Sequence, residues 1–396
     1  MEIVKKLTIN NSDFTLERQP RTKKGDLRAW DAADELLINT LLDSHLQSTD
    51  KEVNKPILII NDSFGALACV LHLYPRHSWS DSYLTHLATR ENLHLNKLDT
   101  SKYLAIPSIE NLKVSYDLVI IKIPKTLGLL EDQLYRLKAH INTGTTIIAA
   151  GMSKHIHTST LKMFEKIIGT TTTSRATKKA RLAFVTNDAA NNNKKESLST
   201  YPKIIRDDVL DLTLINHANV FAKDNIDIGS RFLIEQLKNV PESKHIVDLG
   251  CGNGALGIMA QRLQPQAHIS FIDESYAAVA SATENYRQEI KEAKSNASFY
   301  ISDCFNQFDN DANERIDLIL CNPPFHQNHS IGDHIAWEMF KQSLEQLQNG
   351  GEIWVIGNRH LAYHVKLQTL FGTCETVVSN KKFVILVAKK NDEKNA

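Results

Sequence analysis

The residues of this 396-residue chain best suited to chemistry lie in its C-terminal half, foremost Leu320-Cys321-Asn322-Pro323-Pro324-Phe325. Consecutive prolines lock the backbone and remove two amide donors from the loop. The side-chain oxygen of Asn322 and the main-chain carbonyl after it can then converge on one external NH2 group. An exocyclic amine on a base, or an amide nitrogen, is a poor nucleophile because its lone pair is delocalised. Two acceptors holding its hydrogens align that lone pair with an electrophile, and such positioning can carry much of a rate enhancement. Phe325 would stack on the flat substrate. Asn322, Pro323, Pro324 and Phe325 are therefore the candidate catalytic residues, although the bare tetrapeptide is also compatible with a rigid turn.

The residues upstream favour chemistry. Val247-Asp248-Leu249-Gly250-Cys251-Gly252-Asn253-Gly254 places an acid at a strand end before three glycines that let the backbone pass close under a ligand. The spacing Asp-x-Gly-x-Gly-x-Gly is not the Gly-x-Gly-x-x-Gly of dinucleotide binders, which makes a nicotinamide dehydrogenase the weakest reading. A pyrophosphate would not favour Asp248, whereas a cationic ligand would. S-Adenosylmethionine, with its sulfonium and amino group, fits. Asp273 follows Gly254 by about the distance at which nucleotide folds place a ribose-binding carboxylate. Asp303 is placed to accept from the adenine amino group. The candidate cofactor-binding residues are Asp248, Gly250, Gly252, Gly254, Asp273 and Asp303. Transfer from a sulfonium neutralises charge, so no strong base is needed before attack.

Strand ends must hold these residues. His245 to Asp248, Ile269 to Asp273, Ile316 to Cys321 and Glu352 to Ile356 read as short strands. Helix-like stretches fall between them: Ala255 to Arg262, Ala277 to Glu289 and Ile335 to Leu347. This alternation predicts an α/β doubly wound fold with a parallel sheet, binding ligands at the carboxyl ends of its strands. The polar stretch from Asn187 to Ser197 reads as a linker. The expected domains are residues 1–188 and 201–396, joined by 189–200.

The N-terminal half repeats the C-terminal half in degraded form. Asp117-Leu118-Val119-Ile120 mirrors Asp317-Leu318-Ile319-Leu320, and Ser82-Tyr83 with Glu91-Asn92 mirrors Ser275-Tyr276 with Glu284-Asn285. Gly151 matches Gly357, Gly169 matches Gly372, and Lys178-Lys179 matches Lys381-Lys382, always near two hundred residues apart. Both halves should share one fold. Yet Ile59 falls where Asp248 stands, Asn61 and Ser63 replace Gly250 and Gly252, and Lys122 and Lys125 replace Asn322 and Phe325. A lysine ammonium has no acceptor and cannot hold an amine's hydrogens. The expectation is an N-terminal domain that binds no S-adenosylmethionine.

Charge suggests what that half is kept for. Residues 1–200 carry 27 Lys+Arg against 21 Asp+Glu, and residues 201–396 carry 19 against 25. A basic first half fits gripping RNA phosphates, with Lys178, Lys179 and Arg181 as candidates, or supporting the catalytic half, or both. Phe221 and His326 are further candidate substrate contacts. The five scattered cysteines form no C-x-x-C pair, and no cysteine or carboxylate joins His326 and His329 at ligand spacing, so no metal site is expected. With no signal peptide or membrane-length apolar run, the chain reads as cytoplasmic with no membrane partner.

The C-terminal half resembles class I methyltransferases that modify amines, and the chain as a whole is similar to bacterial ribosomal RNA guanine-N2 methyltransferases. His217 to Phe221, Asp227 to Phe232, Val247 to Gly254, Asn322 to Gln327, Ala336 to Phe340 and Gly357 to Leu361 carry this resemblance. Ala29 to Glu35, Asn61 to Leu67 and His157 to Leu161 resemble the large-subunit member. The resemblance implies two tandem Rossmann-like methyltransferase domains, the first degenerate, and S-adenosylmethionine-dependent methylation of guanine N2 in 23S rRNA. The alternatives are the same chemistry on 16S rRNA and N5-methylation of a protein glutamine. A non-enzymatic RNA-binding module would be expected to lack the glycines and Asn322.

Overall fold

The computed structural model describes residues 5–21, 27–44, 46, 55–188, 198–221, 225–290, 296–308, 315–324 and 329–391, with backbone alone at 329–332. It divides into two compact units, Met1–Tyr201 and Pro202–Ala396.

The first unit opens with a hairpin of β1 (Lys6–Ile9) and β2 (Ser12–Thr15), followed by α1 (Ala32–Ser44). Its sheet contains β3 (Ile57–Ile60), β4 (Arg76–Ser80), β5 (Tyr103–Pro107), β6 (Leu118–Lys122), β7 (Thr146–Met152), β8 (Thr171–Thr173) and β9 (Ala180–Val185). Helices α2 (Ala66–Val70), α3 (Tyr83–Leu95), α4 (Leu127–Leu137) and α5 (Thr158–Ile167) connect them. The strand order is β5-β4-β3-β6-β7-β9-β8, parallel except for β9, which runs antiparallel to both neighbours. Ile57-Leu58-Ile59-Ile60 is buried at every position, as a parallel strand covered on both faces requires.

The second unit repeats this plan. A hairpin of β10 (Lys203–Asp207) and β11 (Leu212–Asn216) precedes α6 (Ile228–Ile234). The sheet contains β12 (His245–Leu249), β13 (His268–Asp273), β14 (Ala297–Ile301), β15 (Ile316–Cys321), β16 (Leu347–Asn358), β17 (Glu375–Ser379) and β18 (Phe383–Lys389). Helices α7 (Ala255–Leu263), α8 (Tyr276–Glu289), α9 (His329–Gln346) and α10 (Tyr363–Phe371) cover it. The order β14-β13-β12-β15-β16-β18-β17 is that of the first sheet, so the α/β class and the doubled Rossmann-like plan are as expected. The crossover reverses direction between β12 and β15, which makes that crevice the switch point where ligands bind in such sheets.

The duplication extends to side-chain contacts. Ser82 and Ser275 cap α3 and α8, accepting from the backbone N–H of Thr85 and Ala278. Asn92, buried on α3, donates to the carbonyls of Glu17 and Phe64 and accepts from Glu17 N–H. Asn285, buried on α8, donates to the carbonyls of Ile215 and Asn253 and accepts from Ile215 N–H. In each half a buried carboxamide ties the hairpin side of the unit to the turn after the first strand.

Two details differ from the expected elements. Helix α9 starts at His329 rather than Ile335, and β16 already begins at Leu347. The pairing of β15 with β16 shifts register between Ile316 and Leu318, absorbing surplus residues that include Gly350 at φ 81°. At the middle of the chain, Asp188 accepts from Thr170 N–H and Oγ1–H, and Ser199 Oγ donates to Asp132. Both ends of the expected linker are thus held by the first unit, and residues 189–197 lie outside the described residues.

Candidate active site

The turn from β12 into α7 is built on left-handed backbone, with Gly250, Gly252 and Gly254 at φ 75°, 54° and 82°. At Gly254 a Cβ would also stand 3.0 Å from the Cβ of Ala282, so glycine is required for close packing on α8. At Gly252 a Cβ would meet nothing within 4 Å. This glycine faces open space.

Three carboxylates occupy the ends of adjacent strands beside that turn. Asp273 ends β13, accepting from Gly252 N–H at 3.0 Å on one oxygen and from Ser275 N–H at 3.0 Å on the other. These two bonds fix its orientation. Asp303 follows β14; it accepts from Asn306 Nδ2 at 3.0 Å, and its own N–H donates to Gln307. Burial raises its pKa against the opposing Asn306 hydrogen bond.

Asp248, in β12, is 0% exposed. One oxygen accepts from Gly257 N–H at 2.9 Å, anchoring the start of α7, and the other is buried with no partner among the described residues. Burial pushes its pKa up to about 8, opposed by the Gly257 bond and assisted by the Asp273 charge. The sequence reading assigned Asp248 to a ligand alone; the structure adds helix anchoring. With the folded pKa raised, the folded protein keeps a proton that the unfolded chain releases near pH 4. Stability therefore falls as pH rises from about 4 to about 8 and levels off above that. Asp248→Asn retains an acceptor for Gly257. Melting measured across pH 5 to 9 should show wild type losing stability relative to this variant up to about pH 8, with a constant difference beyond.

Asn322 follows β15 directly, on the other side of β12. Its Nδ2 donates to Ser230 Oγ at 2.8 Å and Asp227 Oδ2 at 3.2 Å, while its Oδ1 is buried without a partner among the described residues. Pro323 is buried and Pro324 exposed. Phe325 and His326 lie outside the described residues. Sequence reasoning did not single out Asn358 as a site residue. It ends the neighbouring strand β16, and its Oδ1 is likewise buried and unpartnered among the described residues. An asparagine directly after a buried strand, as at Asn322, was the available signal.

The remaining substrate candidates are distributed. Phe221 is 51% exposed, so it is not a core residue. Lys178 and Lys179 occupy left-handed positions before β9, and the Lys178 ammonium pairs with Glu35 at 3.0 Å. Arg181 lies within β9, with its Nε buried, and is less suited to phosphate than the two lysines. Among the described residues no cluster could hold a metal ion, and no helix is long and apolar enough to cross a membrane.

The corresponding region of the first unit is filled by its own side chains. Lys122, buried at the end of β6, places its ammonium 2.6 Å from Asp34 and 2.9 Å from Asp31. Burial opposes that charge, but the two carboxylates outweigh it and hold the lysine pKa above its usual value. Ile59, where Asp248 stands, is buried. Asp62 takes over the helix anchoring by accepting from Ala68 N–H, and burial raises its pKa to about 7. Asn61 and Gln133 exchange reciprocal amide hydrogen bonds at 2.9 Å.

The family described as RLMG N-terminal domain matches residues 4–189, and Methyltransferase small domain matches residues 211–387. Ribosomal RNA large subunit methyltransferase G of Pseudoalteromonas translucida is 43% identical, covering 97% of this chain and 97% of the relative. The protein of that name from Erwinia tasmaniensis is 45% identical over 97% of this chain and 99% of the relative. The structure of the T. thermophilus 16S rRNA N2 methyltransferase RsmC in complex with AdoMet and guanosine matches 98% of this chain and 97% of its own. Its TM-score of 0.74 at 19% identity is a likeness of fold. By its identity to relatives across nearly its whole length, this chain belongs to the ribosomal RNA large subunit methyltransferase G family.

Proposed function

We propose that this protein methylates the exocyclic N2 of one guanine in 23S rRNA, with S-adenosylmethionine as donor and its C-terminal unit as the only active site. The observation that carries the chemistry is the Asn322 carboxamide, whose amine end is engaged while its buried oxygen has no partner among the described residues. The relatives' name supports the large-subunit substrate. The basic N-terminal half supports an RNA partner over a protein glutamine.

When bound, S-adenosylmethionine supplies an electrophilic methyl group on a sulfonium. The chain's residues fit it: the unpartnered Asp248 oxygen suits its ammonium, Asp273 its ribose hydroxyls, Asp303 its adenine amino group, and the open side of Gly252 its backbone approach. The Asn322 oxygen and the main-chain carbonyl after it accept the two N2 hydrogens, turning the lone pair toward the methyl group. Phe221 adds a half-exposed apolar face, and Phe325 and His326 are assigned to the substrate from the sequence alone. The N–C bond forms as the methyl–sulfur bond breaks, leaving the donor as the thioether S-adenosylhomocysteine, and the N2 proton then leaves to solvent. A guanine within a helix is extruded from its stack to reach this site. Lys178 and Lys179 contribute to phosphate contact from the first unit, with Arg181 secondary.

Methyl-labelled S-adenosylmethionine offered with 23S rRNA, 16S rRNA and a release factor tests the reading. Label in 23S rRNA, recovered as N2-methylguanosine, is the expected result; label in 16S rRNA or on glutamine would refute it. Gly252→Ala offers a second check, because its methyl group would meet nothing within 4 Å among the described residues. It should cost about 1–2 kcal/mol of stability from left-handed strain. Donor affinity, read by calorimetry, should fall more than tenfold.

A further inference from the structure

We infer that Asp227 and Ser230 are positioning residues that determine which end of the Asn322 carboxamide faces the substrate. This rests on the reading of Asn322 as the group that holds the amine.

A carboxamide has two ends of nearly equal size, and only the oxygen can accept a hydrogen from an amine. Nothing in the shape of the side chain selects between its two orientations. The selection here is electrostatic. Asp227 Oδ2 and Ser230 Oγ lie 3.2 and 2.8 Å from Asn322 Nδ2. A carboxylate is acceptor-only, so the amide NH2 must face it, and a flip would set oxygen against oxygen. The opposite end, Oδ1, is thereby left buried and, among the described residues, unpartnered.

Asp227 is itself held in place. It is the N-cap of α6, its Oδ2 accepting from Ser230 N–H at 2.9 Å. A Cβ at Gly229 would stand 2.9 Å from that same oxygen, so glycine leaves the carboxylate its position. Arg231, one residue past Ser230, pairs with Asp207 of β10 and ties the helix to the hairpin.

The degenerate unit provides an internal comparison. Asp31 caps α1 by accepting from the N–H groups of Ala33 and Asp34, and Lys122 donates to both Asp31 and Asp34. Asp31, Asp34 and Lys122 thus repeat the arrangement of Asp227, Ser230 and Asn322. A tie between helix cap and strand end is common to both units. What the second unit adds is an acceptor at the far end of the tied side chain, oriented by the tie.

Asp227→Ser separates orientation from support. The oxygen that accepts from Ser230 N–H is also the one that faces Asn322, so an asparagine that held the cap would still select the same orientation. Serine caps a helix as well as aspartate does, so α6 keeps its N-terminus. Its hydroxyl can donate as well as accept, however, and no longer excludes the flipped Asn322 with Nδ2 toward the substrate. Turnover should fall on the order of tenfold, with S-adenosylmethionine affinity and melting temperature unchanged within experimental error, and Asp227→Asn should recover it. Ser230→Ala should lose activity to a lesser degree, and Ser230→Thr, which keeps the hydroxyl, should recover it. In an Asn322→Ala background, Asp227→Ser should cause no further loss in single-turnover rate. Near wild-type turnover by Asp227→Ser would overturn the proposal. So would an Asp227→Ser loss that persists undiminished in the Asn322→Ala background, because that would mark a general structural role. If Asn322→Ala alone retained turnover, the underlying reading of Asn322 would fail instead.

Discussion

Asn322→Ala should abolish nearly all turnover while leaving S-adenosylmethionine binding within about threefold of wild type. The carboxylates that suit the donor lie at and just beyond β12, β13 and β14, whereas Asn322 follows β15 on the opposite side of β12. The substitution removes the amine-holding acceptor that Asp227 and Ser230 orient and leaves the donor's contacts in place. The expected loss is about 10³-fold in kcat, equivalent to about 4 kcal/mol of transition-state stabilisation. The variant also gives up the hydrogen bonds from Asn322 to Asp227 and Ser230, at about 1–3 kcal/mol of stability. Melting should therefore drop modestly, and single-turnover rates on folded protein should isolate the chemical effect.

Lys122→Ala in the first unit should have the opposite profile. The lysine is the buried counter-charge of Asp34, whose side chain is also buried, and it reaches Asp31 as well. Removing it leaves an uncompensated carboxylate in the interior, an error that typically costs about 3–5 kcal/mol. Adding Asp34→Asn should recover part of that loss, because the stranded charge is then gone. Donor affinity per folded molecule should be unchanged, since the second unit alone is proposed to bind it. Denaturant unfolding and calorimetric titration measure the two quantities separately. A weakened donor affinity with unaltered stability would contradict both the ion-pair account and the assignment of a single active site.

Much of this was legible in the sequence because it is local. Ile57 to Ile60 announces a buried parallel strand by its unbroken apolar character. The three glycines after Asp248 announce a left-handed turn, and Asn92 and Asn285 betray the duplication by recurring beside Glu91 and Glu284. What was not legible is long-range. The contact of Asp227 and Ser230 with Asn322 joins residues more than ninety apart in the chain. No periodicity marks such a pair. The substitution of Asn322 by Lys122 was visible, but not its consequence, because its partners, Asp31 and the buried Asp34, come from the start of a helix some ninety residues earlier. Asp248 was placed correctly at a strand end, yet its complete burial and its anchoring of α7 depend on packing from both sheet faces. The early start of β16 was missed because Gly350-Gly351 reads as a turn, whereas the sheet absorbs it as an irregularity.

The most direct test is made in the cell. Ribosomal RNA from a strain lacking the protein, analysed nucleotide by nucleotide, should lack one N2-methylguanine in 23S rRNA and be otherwise unchanged. That modification should return with the wild-type protein and fail to return with Asn322→Ala at equal abundance. An intact 23S pattern in the deletion strain, or restoration by Asn322→Ala, would contradict the account.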